Sequence, residues 1–205
     1  MAFLVGLTGN IACGKSTVGQ LLAERYDAEY VDADRLVHAL YLPGTTETAA
    51  IAQRFGADLL TADGTIDRRR LGDRVLTDPA ALRELEQILH PGVRRAIEQR
   101  IAATTAPVLV IDAIRLIEAG LADRCDAVWV VTCSAELQRE RLLASRALTA
   151  EQADLRIAAQ PPQAEKTRRA TSVISNAGSI EALAEQVEAA WRLDVAPHLV
   201  QSSPP

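Results

Sequence analysis

Aromatic residues are scarce in this chain: two Phe, three Tyr and two Trp make up 3% of 205 residues. A core of stacked rings is excluded, so Ala, Leu, Val and Ile must supply the packing. Lysine is scarcer still, since the 22 basic residues include only Lys15 and Lys166 and the rest are arginine. Cys13, Cys125 and Cys133 are odd in number and have no C-x-x-C spacing. That argues against a disulfide framework or a cysteine zinc site, and predicts free thiols in a reducing, cytoplasmic setting. The longest apolar runs, 108–111 and 127–131, are far too short to span a bilayer. No charged-then-apolar leader is expected at the start. The formal net charge is -5, so neither nucleic acid nor a membrane surface is an expected partner. What is present is ordinary for a folded protein, with 48% hydrophobic and 24% charged residues. This length predicts one large domain, or a core domain with a sizeable insertion.

Short apolar runs alternate with helical patterns. Phe3–Thr8, Tyr30–Val31, Val108–Ile111, Ala127–Val131 and Val173–Ile174 read as strands. The longer ones are unbroken apolar runs, as parallel strands covered on both faces require. Helical periodicity follows at 14–26, 134–145 and 149–159, with Ser134 and Thr149 as caps. Ile180, Leu183, Ala184, Val187 and Trp191 form one apolar helical face. The fold class is therefore α/β, a parallel five-stranded sheet with flanking helices. The helical block at 45–106 reads as an insertion. The segments 1–44 and 107–195 form the core, with a helical lid at about 134–170 and a flexible tail at 196–205.

Gly9-Asn10-Ile11-Ala12-Cys13-Gly14-Lys15-Ser16 matches G-x-x-x-x-G-K-[ST] between a predicted strand and a predicted helix. Loop and helix N-terminal amides in such a pattern cradle a polyphosphate. Lys15 supplies a point charge to the β- and γ-phosphates, and the Ser16 hydroxyl is suited to Mg²⁺. Val108-Leu109-Val110-Ile111-Asp112, an apolar strand ending in aspartate, is a candidate second contact to that ion through water. No Asn-Lys-x-Asp segment is present, which excludes a guanine-nucleotide switch. The size suits a small-molecule kinase.

Asp32-Ala33-Asp34 follows the second strand, at the end where such sheets bind ligands. In an extended segment both carboxylates project to one side, and one is placed to accept a hydroxyl proton. The spacing equally allows Asp34 to cap a helix beginning at Arg35, worth about 1 kcal/mol. Arg139, Arg141, Arg146, Arg156, Lys166, Arg168 and Arg169 form a lid-like cationic set, or a solvated face paired with Glu136, Glu140 and Glu151.

Taken in order, these elements resemble the dephospho-coenzyme A kinases, a family of small-molecule kinases built on the phosphate-loop fold. The resemblance runs from Phe3 to Trp191. It rests on Gly6-Leu7-Thr8-Gly9 with Gly14-Lys15-Ser16-Thr17, on Asp32-Ala33-Asp34 with His38, and on Asp63-Gly64-Thr65-Ile66-Asp67-Arg68 and Leu89-His90-Pro91. Gln138, Arg141, Leu142 and Arg146 resemble the lid helix, and Ala158-Ala159-Gln160, Glu165-Lys166 and Asn176-Ala177-Gly178-Ser179 the closing segments.

The resemblance implies ATP-dependent phosphorylation of the ribose 3′-hydroxyl of dephospho-CoA, with Mg²⁺ as cofactor. It implies a monomer or weak homo-oligomer with no nucleic-acid or membrane partner. Asp34 corresponds to the base, and Lys15 and Arg146 to the phosphoryl-transfer cations. Gly9 to Thr17, Arg141, Asn176 and Gly178 correspond to the ATP site, and Ser16 to the metal-side hydroxyl. Asp32, Asp34, His38, Asp112 and Leu116 would lie near the acceptor. His90 before Pro91 reads equally as a packed helix-start residue.

The chain departs from the family pattern in places. Asn10, Ala12 and Cys13 replace two glycines and a serine of the usual loop. Arg115 stands in a normally apolar segment, and Thr171 replaces an aspartate, so acceptor affinity or metal geometry is expected to differ. Cys13 in an anion cradle reads either as a stabilised, oxidisable thiolate or as a serine-like filler. Another small-molecule kinase and a nucleotide-dependent switch without phosphotransfer are the competing readings.

Overall fold

The computed structural model describes residues 1–146 and 148–201, with the side chains of Ser145, Arg146 and Gln201 outside that description. The chain divides into two compact units, Met1–Asp32 with Ala103–Pro205, and Ala33–Ala102. The helical unit thus begins twelve residues before the sequence-expected 45.

The first unit is built on strands β1 (Phe3–Thr8), β2 (Glu29–Asp32), β3 (Val108–Asp112), β4 (Ala127–Thr132) and β5 (Ser172–Ser175). They form one parallel sheet in the order β2-β3-β1-β4-β5. Helices α1 (Lys15–Tyr26), α6 (Ala135–Arg146), α7 (Ala150–Ala158), α8 (Gln163–Thr167), α9 (Ile180–Ala190) and α10 (Ala196–Gln201) complete the unit. β1 lies at the centre between β3 and β4; the chain runs from β1 to β2 on one side and later crosses from β3 to β4 on the other. That arrangement opens a crevice at the carboxyl end of β1, where the glycine loop begins. β3 is buried along its whole length, as its apolar run requires. With so few rings, the core is aliphatic around one large anchor, the fully buried Trp129.

Trp129 also carries a buried N–H that needs a partner. Its Nε1 donates to Asp194 Oδ2 at 2.8 Å, and the hydroxyls of Thr171 and Ser172 donate to the same oxygen at 2.9 and 2.8 Å. Thr171 therefore joins β5 to the π turn Trp191–Val195 that carries Asp194. It precedes β5, at the opposite end of the sheet from the glycine loop. Its departure from the family pattern is satisfied structurally, and the expected effect on acceptor or metal has no geometric support.

The second unit contains α2 (Ala33–Leu40), α3 (Thr46–Phe55), α4 (Arg68–Val75) and most of α5 (Pro79–Ala103). Its own core joins Tyr41, Ile51, Phe55, Leu59, Leu71 and Leu85. Caps punctuate it: Thr45 accepts from Thr48 N, Asp67 from Arg69 N and Arg70 N, and Asp78 from Ala80 N and Ala81 N. Its described extended pairing is a single bridge, Leu60 to Ile66.

Three expectations change. Pro91 lies inside the 25-residue α5, so His90 is a mid-helix residue and does not start a helix. The helix tolerates one missing N–H because its buried residues Leu85, Leu89, Val93 and Ile97 anchor both sides of the proline. Residues 196–201, read as tail, form α10, with Leu199 packed on the sheet core and His198 5.0 Å from the Phe3 ring. Pro197 is compatible because it falls in the first turn. Ile180 does not join the buried face of its helix and is 51% exposed.

Asp194→Ala should lower unfolding free energy by about 2–3 kcal/mol, because it strands the buried Trp129 N–H and frees two hydroxyls. Urea unfolding followed by tryptophan fluorescence measures it. A loss below about 0.5 kcal/mol would show that this carboxylate does not hold the sheet edge.

Candidate active site

The turn out of β1 is forced through glycine. Gly9 has φ 147, and a Cβ there would lie 2.2 Å from the Val131 carbonyl oxygen. Gly14 has φ 91, and a Cβ there would lie 2.0 Å from Asn176 Nδ2. Between them Ala12 also adopts the left-handed region at φ 58. A non-glycine residue there is strained and persists only where its surroundings fix it.

The surroundings do so through carbonyls. Asn176 Nδ2 donates to Cys13 O at 2.8 Å, and Arg141 Nη1 donates to Ala12 O at 3.2 Å. Arg141 Nη2 also donates to Asn176 O at 3.0 Å, closing the clamp. In a planar trans peptide the N–H opposes the carbonyl. Drawing the Cys13 carbonyl outward therefore turns the Gly14 N–H the other way, toward the loop interior. The front of the loop is held separately. Gln160 Oε1 accepts from Ile11 N at 2.7 Å, and Asn10 Nδ2 donates to Pro161 O at 3.4 Å. Ile11 is buried with Leu142 and Ala153. Lys15 is buried at the start of α1.

Beside this loop lies a cleft of about 280 Å³, lined by Gly14, Thr17, Arg141, Asn176, Ile180 and Leu183. The first four come from expected elements. Ile180 and Leu183 were legible only as core-facing residues. Their apolar side chains, with the Arg141 guanidinium, suit a flat heterocycle. Gly178 does not line the cleft, and a Cβ there would meet Ala182 Cβ at an ordinary 3.6 Å.

A second group forms at the carboxyl ends of β2 and β3, where Asp32 and Asp112 are register partners. The Tyr30 hydroxyl donates to Asp112 Oδ2 at 2.6 Å, and the Ser16 hydroxyl hydrogen-bonds to the Tyr30 oxygen. Burial first, then the Asp112 charge, push the Tyr30 phenol well above its ordinary value, so it stays a donor at neutral pH. Tyr30 is the residue that sequence reasoning missed. Its ring fits because Gly19 has no side chain, and a Cβ there would lie 2.1 Å from Tyr30 Cε2. Ser16 and Asp112 are thus brought to one network. Among the described residues no group of three or more His, Cys, Asp or Glu is placed for a metal. A hydroxyl and nearby carboxylates nevertheless fit Mg²⁺, which takes few protein ligands and keeps waters and phosphate oxygens.

The remaining expected residues distribute as follows. α2 begins at Ala33, directly after β2, so Asp34 lies in its first turn. It is neither part of an extended segment with Asp32 nor the cap of a helix beginning at Arg35. His38 lies four residues further on in the same helix, on the same face. Leu116 is wholly buried, against Gly6 and Cys125. The Arg146 side chain falls outside the described ones. Arg139 pairs with Asp154 at 2.8 Å and Arg169 with Asp123 at 2.7 Å, so these two arginines belong to solvated ion pairs.

Cys13 reverses the thiolate expectation. A hydrogen bond with Cys133 and burial push its thiol up, despite the nearby Lys15. Cys133 takes the lowered value, about 7, through its hydrogen bond with Cys13 and the nearby Arg141. No described helix is long and apolar enough to cross a membrane.

Comparison with known proteins agrees with this geometry. The family model described as dephospho-CoA kinase matches residues 3–182. The chain is 45% identical over 192 residues to the dephospho-CoA kinase of Symbiobacterium thermophilum, covering 92% of this chain and 80% of that one. Its fold matches the crystal structure of TT1252 from Thermus thermophilus with a TM-score of 0.76 and 30% identity, covering 99% of both chains. It matches the dephospho-CoA kinase of Campylobacter jejuni with a TM-score of 0.63 and 25% identity, covering 94% and 96%. The chain belongs to the dephospho-CoA kinase family.

Gly14→Ala should abolish measurable ATP binding by calorimetry, because a methyl group there displaces Asn176 from the Cys13 carbonyl and strains a left-handed residue. Gly178→Ala should leave the affinity within about twofold, since its methyl group finds ordinary contact distance. Equal affinities for the two variants would refute the clamp geometry.

Proposed function

We propose that this member of the dephospho-CoA kinase family transfers the γ-phosphoryl group of ATP to the ribose 3′-hydroxyl of dephospho-CoA, giving ADP and CoA. The observation that carries the reading is the clamped glycine loop with a half-apolar cleft on its helix side. The adenine of ATP occupies the cleft between Arg141 and Ile180–Leu183, with Thr17 and Asn176 at its edge. Its phosphates run along Gly9 to Ser16, and the Lys15 ammonium sits at the β–γ bridge. Ser16, with Asp112 acting through water, would hold Mg²⁺, which supplies neutralising charge to the phosphate oxygens when bound. Tyr30 orients both groups. Gly178, in the same loop after β5 as Asn176, lies near the adenine.

Asp34 takes the proton of the 3′-hydroxyl as the new P–O bond forms and the bond to ADP breaks. Lys15 and Arg146 offset the charge that develops on the transferring group. Family resemblance assigns Asp32, His38, Asp112 and Leu116 to the acceptor, with His38 on the Asp34 face of α2. Helices α6–α8 act as the lid. The enzyme works in the cytoplasm as a monomer or weak homo-oligomer, a setting that suits its three free thiols.

An ADP-release assay with dephospho-CoA, adenosine, AMP and shikimate as acceptors tests the reading. ADP should appear only with dephospho-CoA, and CoA should be the product. Asp34→Asn should lower kcat by about 10²–10⁴ with little change in the KM for ATP. Turnover of another acceptor, or a variant as active as the wild type, would overturn the assignment.

A further inference from the structure

The chain contains two lysines, and both are buried. Lys15 belongs to the glycine loop. Lys166 lies in the short helix α8 with 1% of its surface exposed. An ammonium in such a place is expensive, and an aliphatic side chain of equal length would fill the same volume without the desolvation cost. Its retention calls for a use.

The contacts of Lys166 indicate one. Its Nζ donates to the Ile114 carbonyl and lies 3.9 Å from Glu118 Oε1. Ile114 is two residues beyond Asp112, in the turn that leaves β3. The same carbonyl accepts from Thr8 Oγ1 at 3.2 Å, and Ala113 N donates to Leu7 O at 3.0 Å. The turn is therefore fastened to the last two residues of β1, immediately before Gly9. Upstream, the same stretch of chain that delivers Lys166 holds the loop itself, through Gln160 to Ile11 and Pro161 to Asn10. Residues 160–166 thus grip the phosphate loop at one end and the turn after Asp112 at the other. Burial, and after it the opposing charges of Lys15 and Arg115, disfavour the ammonium, while Glu118 favours it. Lys166 is near enough to Lys15 for the two charges to act on each other. Glu118 offsets the Lys166 charge only in part, and an anion entering the loop beside Lys15 would relieve the repulsion between the two ammonium groups.

We propose that Lys166 is a positioning residue for phosphoryl transfer, a second fixed cation that locks the turn 113–118 against the phosphate loop and relaxes fully only when polyphosphate is bound. The inference rests on the phosphoryl-transfer reading above. It adds a residue that acts through Ile114 and Glu118, and through its charge, without touching substrate.

The test uses full-length Lys166→Met and Lys166→Gln, the second of which keeps a donor for Ile114 but carries no charge. Thermal melting, ATP affinity by calorimetry, and kcat with dephospho-CoA are measured together. Lys166→Met should melt no lower than wild type, bind ATP within about threefold, and lose at least about 30-fold in kcat. Lys166→Gln should lose at least about tenfold in kcat. A merely structural lysine gives the opposite pattern, a raised or lowered melting temperature with kcat unchanged. Either variant folded with kcat within about threefold of wild type overturns the proposal, as does failure of both to fold. A wild-type chain that makes no CoA overturns the reaction assignment together with this inference. A wild type that makes CoA beside fully active variants overturns the inference alone.

Discussion

The backbone of the phosphate loop is the constraint on which the site depends. Three residues within six, Gly9, Ala12 and Gly14, hold left-handed or otherwise rare dihedrals. Such a segment does not persist by its own propensity. It is fixed at both ends by regular structure, β1 in the centre of the sheet and the first turn of α1. It is fixed in the middle by side chains that arrive more than a hundred residues later. Asn176 and Arg141 hold the carbonyls of Cys13 and Ala12, and Gln160 holds the amide of Ile11. The nucleotide cradle is therefore assembled by the fold as a whole. Loss of the β5–α9 connection or of α6 would release it, even with Gly-x-x-x-x-Gly-Lys-Ser intact.

The same architecture explains where charge is tolerated. The three central strands are almost wholly apolar, and the buried polar groups of this unit gather at the carboxyl ends of the sheet: Thr8, Asn10, Lys15, Asp112, Gln138, Lys166 and Asn176. Most are satisfied by backbone carbonyls or by one another. Asn10 Oδ1 and Gln138 Oε1 are left without a protein partner beside the loop. Buried polar atoms without partners usually mark either strain or a ligand's place. The opposite end of the sheet carries no such accumulation. There Asp194 satisfies Trp129, Thr171 and Ser172, and the arrangement is structural.

Much of this was legible in the sequence because its signals were local. The strand runs, the glycine loop and the Thr149 cap each depend on neighbours within a few residues. The structure adds a full capping box at Thr149, with Gln152 reciprocating. What was not legible depended on long-range pairing. Tyr30 read as one more strand residue, because its role comes from Asp112 on the neighbouring strand and Ser16 on α1. Ile180 and Leu183 shared a periodicity with the core, and only the position of Ile180 at the start of α9 separates cleft from interior. Cys13 read either as a stabilised thiolate or as a serine-like filler, and Cys133 across the fold disfavours the thiolate. The start of α2 was misplaced by two residues because Ala33 gives no capping signal. That shift moved Asp34 from an extended segment into a helix.

The central claim is that Asn176 and Arg141 act as one clamp on a strained loop. Calorimetric ATP affinity of Asn176→Ala, Arg141→Ala and the double variant tests it most directly. Each single change should weaken binding by about tenfold, and the double loss should fall short of the sum by at least about 0.5 kcal/mol, because both residues hold adjacent carbonyls of one segment. Undiminished affinity in the single variants, or strictly additive losses, would contradict the account.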